Sequence, residues 1–218
     1  MKKLESSLKN MALALTGYSE VAGGLLGWVN DVTAEPIAQA NAKTLSDAIA
    51  VVVPGFDNNP AEAPETVEVN GATYKIYKAT KNGQPIGAAV ESAANGFGGA
   101  LTVLVGFDNE GKIIDYSLLS HAETPGLGSK AADWFKKGAK GDITGKNQGV
   151  APITGSKDGG EIDAITASTI TSRAFLLAVN NAYAAYKNQH VDGASGATQQ
   201  EKPAEEAVSD TTNVEPVK

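Results

Sequence analysis

The sequence predicts an α+β domain in which an antiparallel sheet packs against helices. Apolar residues alternate with polar ones in five short stretches between residues 66 and 120. The stretches are separated by short turns that include Asn70-Gly71, Asn82-Gly83 and Asn109-Glu110-Gly111, and such turns join neighbouring antiparallel strands. A helical period follows from residue 130 onward, so strands and helices are segregated along the chain, as in α+β domains.

An N-terminal apolar segment, residues 11–29, is the candidate transmembrane helix. At ~20 residues it is long enough to cross a bilayer, and Glu20 is its only charged residue. Lysines precede it and acidic residues follow it, so the positive-inside rule predicts a cytoplasmic N-terminus at residues 1–10. The rest of the chain is then expected on the periplasmic or other extracytoplasmic side of a bacterial inner membrane. Because Glu20 opposes insertion, the span needs neighbouring helices, against which Gly23 and Gly27 can pack closely.

Two other interpretations of residues 11–29 stay open. One is a cleaved signal peptide, since Ala40-Asn41-Ala42 offers a small-x-small processing site. That site lies about a dozen residues beyond the apolar run, farther than processing normally allows, so an uncleaved anchor is favoured. The other is a buried amphipathic helix of a soluble protein.

Residues 30–66 are expected to form a helix and a linker. Pro36 is suitably placed to start the helix, and apolar residues recur until Pro54 ends it. Residues 54–66 are rich in Pro and Glu and have no period, which is typical of a loop.

The globular domain is expected to span residues 67–187. Its expected strands are residues 66–69, 73–79, 86–92, 101–107 and 112–120, and its expected helices are residues 130–137 and 171–186. After residue 187 the apolar period is lost and Gly, Ala, Gln, Glu and Pro dominate. Residues 188–218 are therefore predicted to be a disordered acidic tail.

Composition excludes several classes of function. The net charge of −7 and the pI near 4.9 argue against a nucleic-acid partner. The absence of cysteine removes disulfides, thiolate-held iron–sulfur clusters and a cysteine nucleophile. The two histidines, His121 and His190, are too far apart in sequence to predict a metal site.

The stretch from residue 161 to residue 186 joins a predicted short strand, which contains Ile162 and Ile165, to an amphipathic helix. Hydroxyl residues occupy the junction: Thr166, Ser168, Thr169 and Thr171. Such side chains often cap a helix start by accepting hydrogen bonds from its unpaired amides. The same amides and the helix dipole also favour a phosphate group. Spacing alone leaves both roles open, a helix cap and a phosphate anchor.

Residues 163–169, Asp-Ala-Ile-Thr-Ala-Ser-Thr, resemble the flavin-attachment motif of a family of membrane-bound electron-transfer subunits. In that family FMN is joined through its phosphate to the last Thr of an Asp-x-x-(Ser/Thr)-Gly-Ala-Thr pattern. The resemblance therefore implies covalent FMN on Thr169. This chain has Ala167 where the pattern has Gly and Ser168 where it has Ala, and both replacements are small.

A second stretch, residues 121–130, is similar to the conserved loop of the G subunit of Rnf-type ion-translocating complexes and of the related C subunit of sodium-translocating NADH:quinone reductases. The Gly-Phe-Gly-Gly bend at residues 96–99 resembles the same FMN-binding domain. The resemblance covers roughly residues 85–187. It implies a loop at the flavin made by these residues: Glu123, Thr124, Gly126, Leu127 and Gly128.

In that loop, the Thr124 hydroxyl and the backbone near Gly126 and Gly128 would donate to the flavin ring, with Leu127 against its apolar face. Without the resemblance, an ordinary tight turn before a helix is the alternative. Glu123 is more often a solvated carboxylate or a helix-cap partner than a proton donor.

A second copy of the attachment pattern occurs at residues 192–198 and ends at Thr198. It matches the consensus at every position, but no predicted strand precedes it and no apolar helix follows. Thr198 is therefore the alternative attachment site, and Thr169 is preferred.

The resemblance implies a single-pass membrane flavoprotein that relays electrons from reduced ferredoxin towards NAD within an ion-translocating complex. Its expected partners are the other membrane subunits, and no catalytic residues or independent activity are expected. Two alternatives stay open. One is a component like the C subunit of a sodium-translocating NADH:quinone reductase, and the other is a membrane-anchored assembly module that has lost the cofactor.

Overall fold

The computed structural model describes residues 8–69, 72–149 and 151–187. Within these residues one antiparallel sheet has the order β1-β2-β3-β4-β5, so each strand pairs with its neighbour in sequence. The strands are β1 (Glu65–Val69), β2 (Ala72–Lys81), β3 (Gln84–Asn95), β4 (Ala100–Asp108) and β5 (Ile113–His121). The α-helices are α1 (Leu8–Val52), α2 (Ala131–Trp134) and α3 (Thr169–Tyr186). The predicted α+β class with an antiparallel sheet is confirmed.

The turn between β2 and β3 has the backbone that its sequence predicts. Asn82 and Gly83 both have positive φ, 52° and 75°, and two consecutive residues of this kind match the right-handed twist of the flanking strands. Strand β4 then pairs with β3 in unbroken register, from Gly87 opposite Asp108 to Asn95 opposite Ala100.

The two faces of the sheet are covered by different helices. Helix α3 packs mainly against β3 and β4, where Val103, Val105 and Phe107 point towards it. The intervening Leu104 points to the opposite face, where it meets Ile49 at the C-terminal end of α1. Because its side chains alternate between the two faces of the sheet, β4 contributes to two separate hydrophobic cores.

Glycine at position 106 permits the close approach of α1 to the sheet. A Cβ atom at Gly106 would lie 2.1 Å from the carbonyl oxygen of Val52. Any larger residue would push the last turn of α1 away from the sheet.

Helix α1 differs from its prediction. It is one helix of 45 residues that continues through Pro36, where a separate helix was expected to start. A proline within a helix removes one backbone hydrogen bond, but its fixed φ remains helical, and neighbouring Ala-rich sequence favours continuation. Only the last turns of α1 contribute buried residues. Among the described residues, none of the helices combines the length and apolar character that a membrane crossing requires.

Ile162 and Ile165 are buried as expected, but residues 162–165 do not form the predicted strand. Ile162 and Ile165 are 2% and 1% exposed, yet the backbone forms only an isolated bridge between Gly155 and Ile162. The local pairing is completed by two hydrogen bonds, from Ser156 N to Ile162 O at 2.7 Å and from Ile162 N to Thr154 O at 3.2 Å. The backbone N–H and C=O of Ile162 are thus hydrogen-bonded to the nearby loop, so this segment does not need to pair with the sheet.

The helix expected at residues 130–137 is shorter than predicted. Helix α2 covers only Ala131–Trp134, and a 3-10 turn at Gly128–Lys130 precedes it. The predicted tail at residues 188–218, which includes the Thr198 motif, lies outside the described residues.

Candidate functional site

The start of α3 has no side-chain cap. Ser168 occupies the N-cap position with φ −138° and ψ 49°, and it forms no capping hydrogen bond. Thr169 is the first helical residue and is partly exposed. The capping role that the sequence left open is therefore not taken by either hydroxyl, and the first turn keeps amides available for another acceptor.

Ser172, rather than Ser168, holds the junction together. Its hydroxyl donates to the carbonyl oxygen of Ser168 at 2.9 Å and accepts from the backbone N–H of Ile165 at 2.9 Å. Ser168 N also donates to Ile165 O at 3.0 Å. These bonds tie the loop before α3 to the first turn of the helix and leave the Thr169 side chain outside that network.

Ala167 adopts a left-handed backbone conformation with φ 62°. A residue with a Cβ atom is disfavoured there by roughly 1–2 kcal/mol, whereas glycine is not. This is the position where the attachment pattern has Gly. Glycine at that position would adopt the same backbone conformation without this cost.

Glu123 lies at the centre of the site and is buried, with only 5% of its surface exposed. Its Oε1 accepts from the backbone N–H groups of Phe97 at 2.8 Å and Gly98 at 3.3 Å. Its Oε2 accepts from the hydroxyl of Thr171 at 2.7 Å. The sequence suggested a solvated carboxylate or a cap partner, and the structure instead shows a buried carboxylate that joins three segments.

Two glycines make room for this carboxylate. A Cβ atom at Gly96 would lie 2.0 Å from Glu123 Oε1, and one at Gly128 would lie 2.6 Å from Oε2 and 2.8 Å from Thr171 Oγ1. Gly128 is therefore required by the packing behind the site, whereas the sequence had placed it at the flavin.

A pocket of about 390 Å³ opens in front of the carboxylate, a size within the usual range for small-molecule sites. Residues from three segments line it: Phe97, Glu123, Thr124, Leu127, Ala167, Ser168, Thr169, Ile170 and Thr171. Phe97 and Leu127 are large apolar side chains that are 71% and 40% exposed. They offer apolar surface at the pocket without being part of the core.

The predicted loop residues have different roles in the structure. Thr124 and Leu127 line the pocket. The Gly126 N–H, expected to donate to a ligand, donates instead to Ser129 Oγ at 2.9 Å. The amides of Leu127 and Ser129 both donate to the carbonyl oxygen of Thr124, at 3.2 and 3.3 Å. Most of the loop's backbone donors therefore maintain its own turn.

Among the other predicted site residues, Ser168, Thr169 and Thr171 line the pocket, whereas Thr166 does not. Sequence reasoning did not assign Phe97, Ala167 or Ile170 to the site. The available signal for Phe97 was the Gly-Phe-Gly-Gly bend at residues 96–99, which resembles the FMN-binding domain. Within the described ranges, no cluster of three or more His, Asp and Glu side chains could hold a metal ion.

Comparison with known proteins identifies the family. Residues 96–184 match the family described as FMN-binding domain, and this range contains every residue that lines the pocket. The chain is 34% identical over 196 residues to the G subunit of the ion-translocating oxidoreductase complex of Vibrio cholerae, covering 85% of this chain and 92% of the relative. The G subunit of the Yersinia pestis complex is also 34% identical, over 81% of this chain and 88% of the relative.

This chain belongs to the G-subunit family of ion-translocating oxidoreductase complexes. The prediction from the motifs at residues 121–130 and 163–169 is thereby confirmed at the level of the family. A further member, from Shewanella piezotolerans, is 34% identical over 87% of this chain and 92% of its own length. Among solved structures, the C subunit of the Na(+)-translocating NADH-quinone reductase from Parabacteroides distasonis is similar with a TM-score of 0.47 and 19% identity. That match covers 68% of this chain and 91% of the other.

As a member of this family the chain is an FMN-binding electron-transport subunit, and other subunits of the complex are its expected partners. The pocket fits a flavin in three respects: its volume, its exposed apolar side chains and its uncapped helix start. The site is thus formed where the β3–β4 turn, the loop after β5 and the start of α3 meet.

Proposed function

We propose that this subunit relays electrons through FMN attached by its phosphate to the hydroxyl of Thr169. The observation that carries the proposal is the place of Thr169 at the pocket wall, as first residue of a helix without a side-chain cap. A phosphate there meets the amides of the first turn and the positive end of the helix dipole. This interaction is worth about 0.3–1 kcal/mol at an exposed helix terminus.

The other pocket residues have distinct roles in this proposal. Phe97, Leu127 and Ile170 supply apolar surface for a flat aromatic ring, and Thr124 supplies a hydroxyl for its polar edge. Glu123 lies next to them as a buried hydrogen-bond acceptor. FMN, when bound, supplies the one-electron chemistry that the protein's own side chains lack. The protein's contribution is to hold that group, shield one side of it from water and set the charge around it.

We propose further that electrons pass from reduced ferredoxin towards NAD in the complex. The support is the close likeness of residues 121–130 to the loop of Rnf-type subunits. The chain needs no catalytic residues of its own for this role, since transfer to and from a bound flavin requires only proximity and a suitable potential.

The proposal also places residues 11–29 in a membrane, with the sheet domain on the extracytoplasmic side. Its support is the apolar surface of α1, where several large side chains are more than half exposed: Met11, Leu13, Leu15, Val21, Leu26 and Trp28. Because Glu20 makes this segment a poor span by itself, the helices of partner subunits would complete its environment.

Peptide mass spectrometry tests the attachment site. Trypsin separates the two candidate motifs, since Thr169 falls in the peptide 158–173 and Thr198 in the peptide 188–218. Protein produced together with a flavin-attaching enzyme should carry FMN on the first peptide. Thr169→Ala should abolish flavin fluorescence on a denaturing gel, and Thr198→Ala should leave it unchanged. Loss in Thr198→Ala alone would move the site to the tail, and loss in neither variant would contradict attachment at a single Thr.

A further inference from the structure

The Glu123 carboxylate is buried, and no cationic partner for it lies in the part of the chain that the structure describes. No salt bridge to it occurs among the described residues, and its three hydrogen bonds come from two backbone amides and one hydroxyl. Buried carboxylates are rare unless they are paired, because removing a charge from water is costly. Two glycines, at positions 96 and 128, leave the space that it occupies. A group held so closely has a specific task in the fold or in the site.

Its hydrogen bonds join the segments that form the pocket. Glu123 begins the loop that supplies Thr124 and Leu127. Oε1 holds the turn between β3 and β4 at Phe97, and Oε2 holds the first turn of α3 at Thr171. The carboxylate therefore connects the turn that carries Phe97 to the first turn of the helix that carries Thr169.

Phe97 depends on this contact more than an ordinary core aromatic would. Its side chain is 71% exposed, so packing contributes little to its position. The turn is closed by a hydrogen bond from Gly96 N to Gly99 O at 2.8 Å, and its attachment to the rest of the domain includes the two amides bound by Glu123. Removing the carboxylate would free the turn to move as a unit.

We propose that Glu123 is a positioning residue of the flavin pocket, which acts through the Phe97 backbone and the Thr171 hydroxyl and not by contact with the reacting atoms. The inference rests on the proposed function, because it assigns the pocket to a flavin anchored on Thr169. A glutamine at this position can keep all three contacts, since its oxygen can accept from the amides while its NH₂ donates to the Thr171 hydroxyl. Geometry, rather than charge, should therefore decide how well the pocket shields its ligand.

The test compares Glu123→Ala and Glu123→Gln with the wild-type chain, and Glu161→Ala serves as a control that removes an exposed carboxylate. In protein made without the flavin-attaching enzyme, amide exchange at Phe97 and Gly98 should be at least tenfold faster in Glu123→Ala. In flavin-loaded protein, the constant for quenching of flavin fluorescence by iodide should rise at least threefold. Glu123→Gln should stay within twofold of wild type in both measurements, as should the control.

The inference would be overturned if Glu123→Ala had the amide exchange and iodide quenching of the wild type. It would also be overturned if the flavin in Glu123→Gln were as accessible to iodide as in Glu123→Ala. If Glu123→Ala does not fold, Gly96→Ala provides a second test, because its Cβ would lie 2.0 Å from Oε1 and displace the carboxylate. It should raise exchange at Phe97 and quenching in the same way. Absence of attached flavin in the wild-type protein would contradict the proposed function. Amide exchange in the flavin-free protein would still show whether Glu123 holds the turn between β3 and β4.

Discussion

Glu123 and Thr171 are 48 residues apart in sequence, and the Thr171 hydroxyl donates a 2.7 Å hydrogen bond to Glu123 Oε2. Both residues are buried, with 5% and 1% of their surfaces exposed. The bond connects the loop after β5 to the helix that begins at Thr169, so it links the two sequence motifs that identify the family.

Thr171→Val should destabilise the protein by about 2 kcal/mol, because it keeps the shape of the side chain and leaves a buried carboxylate oxygen without its donor. Thr171→Ser retains the hydroxyl and should cost less than about 1 kcal/mol. Urea unfolding measures both variants. Equal free energies of unfolding for Val and Ser would show that the hydroxyl does not stabilise the fold.

Ala167→Gly should stabilise the protein by roughly 0.5–1 kcal/mol, since it relieves the left-handed backbone and loses only part of that gain to the flexible unfolded chain. Ala184→Gly, in the last turn of α3, is the matched control and should destabilise by roughly 0.5–1 kcal/mol. Thermal or urea unfolding distinguishes the two. Destabilisation by both substitutions would indicate that Ala167 is not strained.

Glu123→Gln should raise the reduction potential of the bound flavin. Removing a negative charge from the pocket wall makes the gain of an electron more favourable, and a three- to tenfold change in the one-electron equilibrium corresponds to about 30–60 mV. A redox titration followed by visible absorption measures the change, with Glu161→Ala as the exposed control. An unchanged potential would mean that the carboxylate carries no net charge effect at the flavin.

Glu20→Leu should favour membrane insertion of residues 11–29 by about 3 kcal/mol, because a central acidic residue strongly opposes insertion and leucine favours it. Glu35 lies outside the segment, so Glu35→Leu should have little effect on insertion. A calibrated insertion assay on a peptide segment that extends from before residue 11 to beyond residue 35 gives both values. If Glu20→Leu inserts no better than wild type, Glu20 lies outside the hydrocarbon region.

Alkaline phosphatase fused after Lys187 should be active, since it folds only outside the cytoplasm and the lysines before residue 11 predict a cytoplasmic N-terminus. A cytoplasmic reporter at the same junction should be inactive. Activity of the cytoplasmic reporter alone would reverse the proposed orientation.

The strands were predictable because their signals are local. Alternation of apolar residues defines the two faces of a strand, and Asn82-Gly83 needs only its own positive φ angles to form a turn. Helix α1 shows where local signals fail. Pro36 suggested a helix start, yet the surrounding sequence supports a continuous helix whose C-terminal end is buried on the sheet.

The family and the candidate anchor could be inferred from short continuous strings of residues, 121–130 and 163–169, because these resemble known motifs. The contacts that these motifs make became visible only in the folded chain. The tertiary structure brought Phe97, Glu123 and Thr171 together, buried a carboxylate that the sequence suggested was solvated, and showed that Ser172 ties the loop before α3 to the helix while the helix start has no side-chain cap. Hydrogen bonds between residues so far apart in sequence depend on how the sheet positions its turns against α3. A local sequence pattern does not specify how close such residues lie in space.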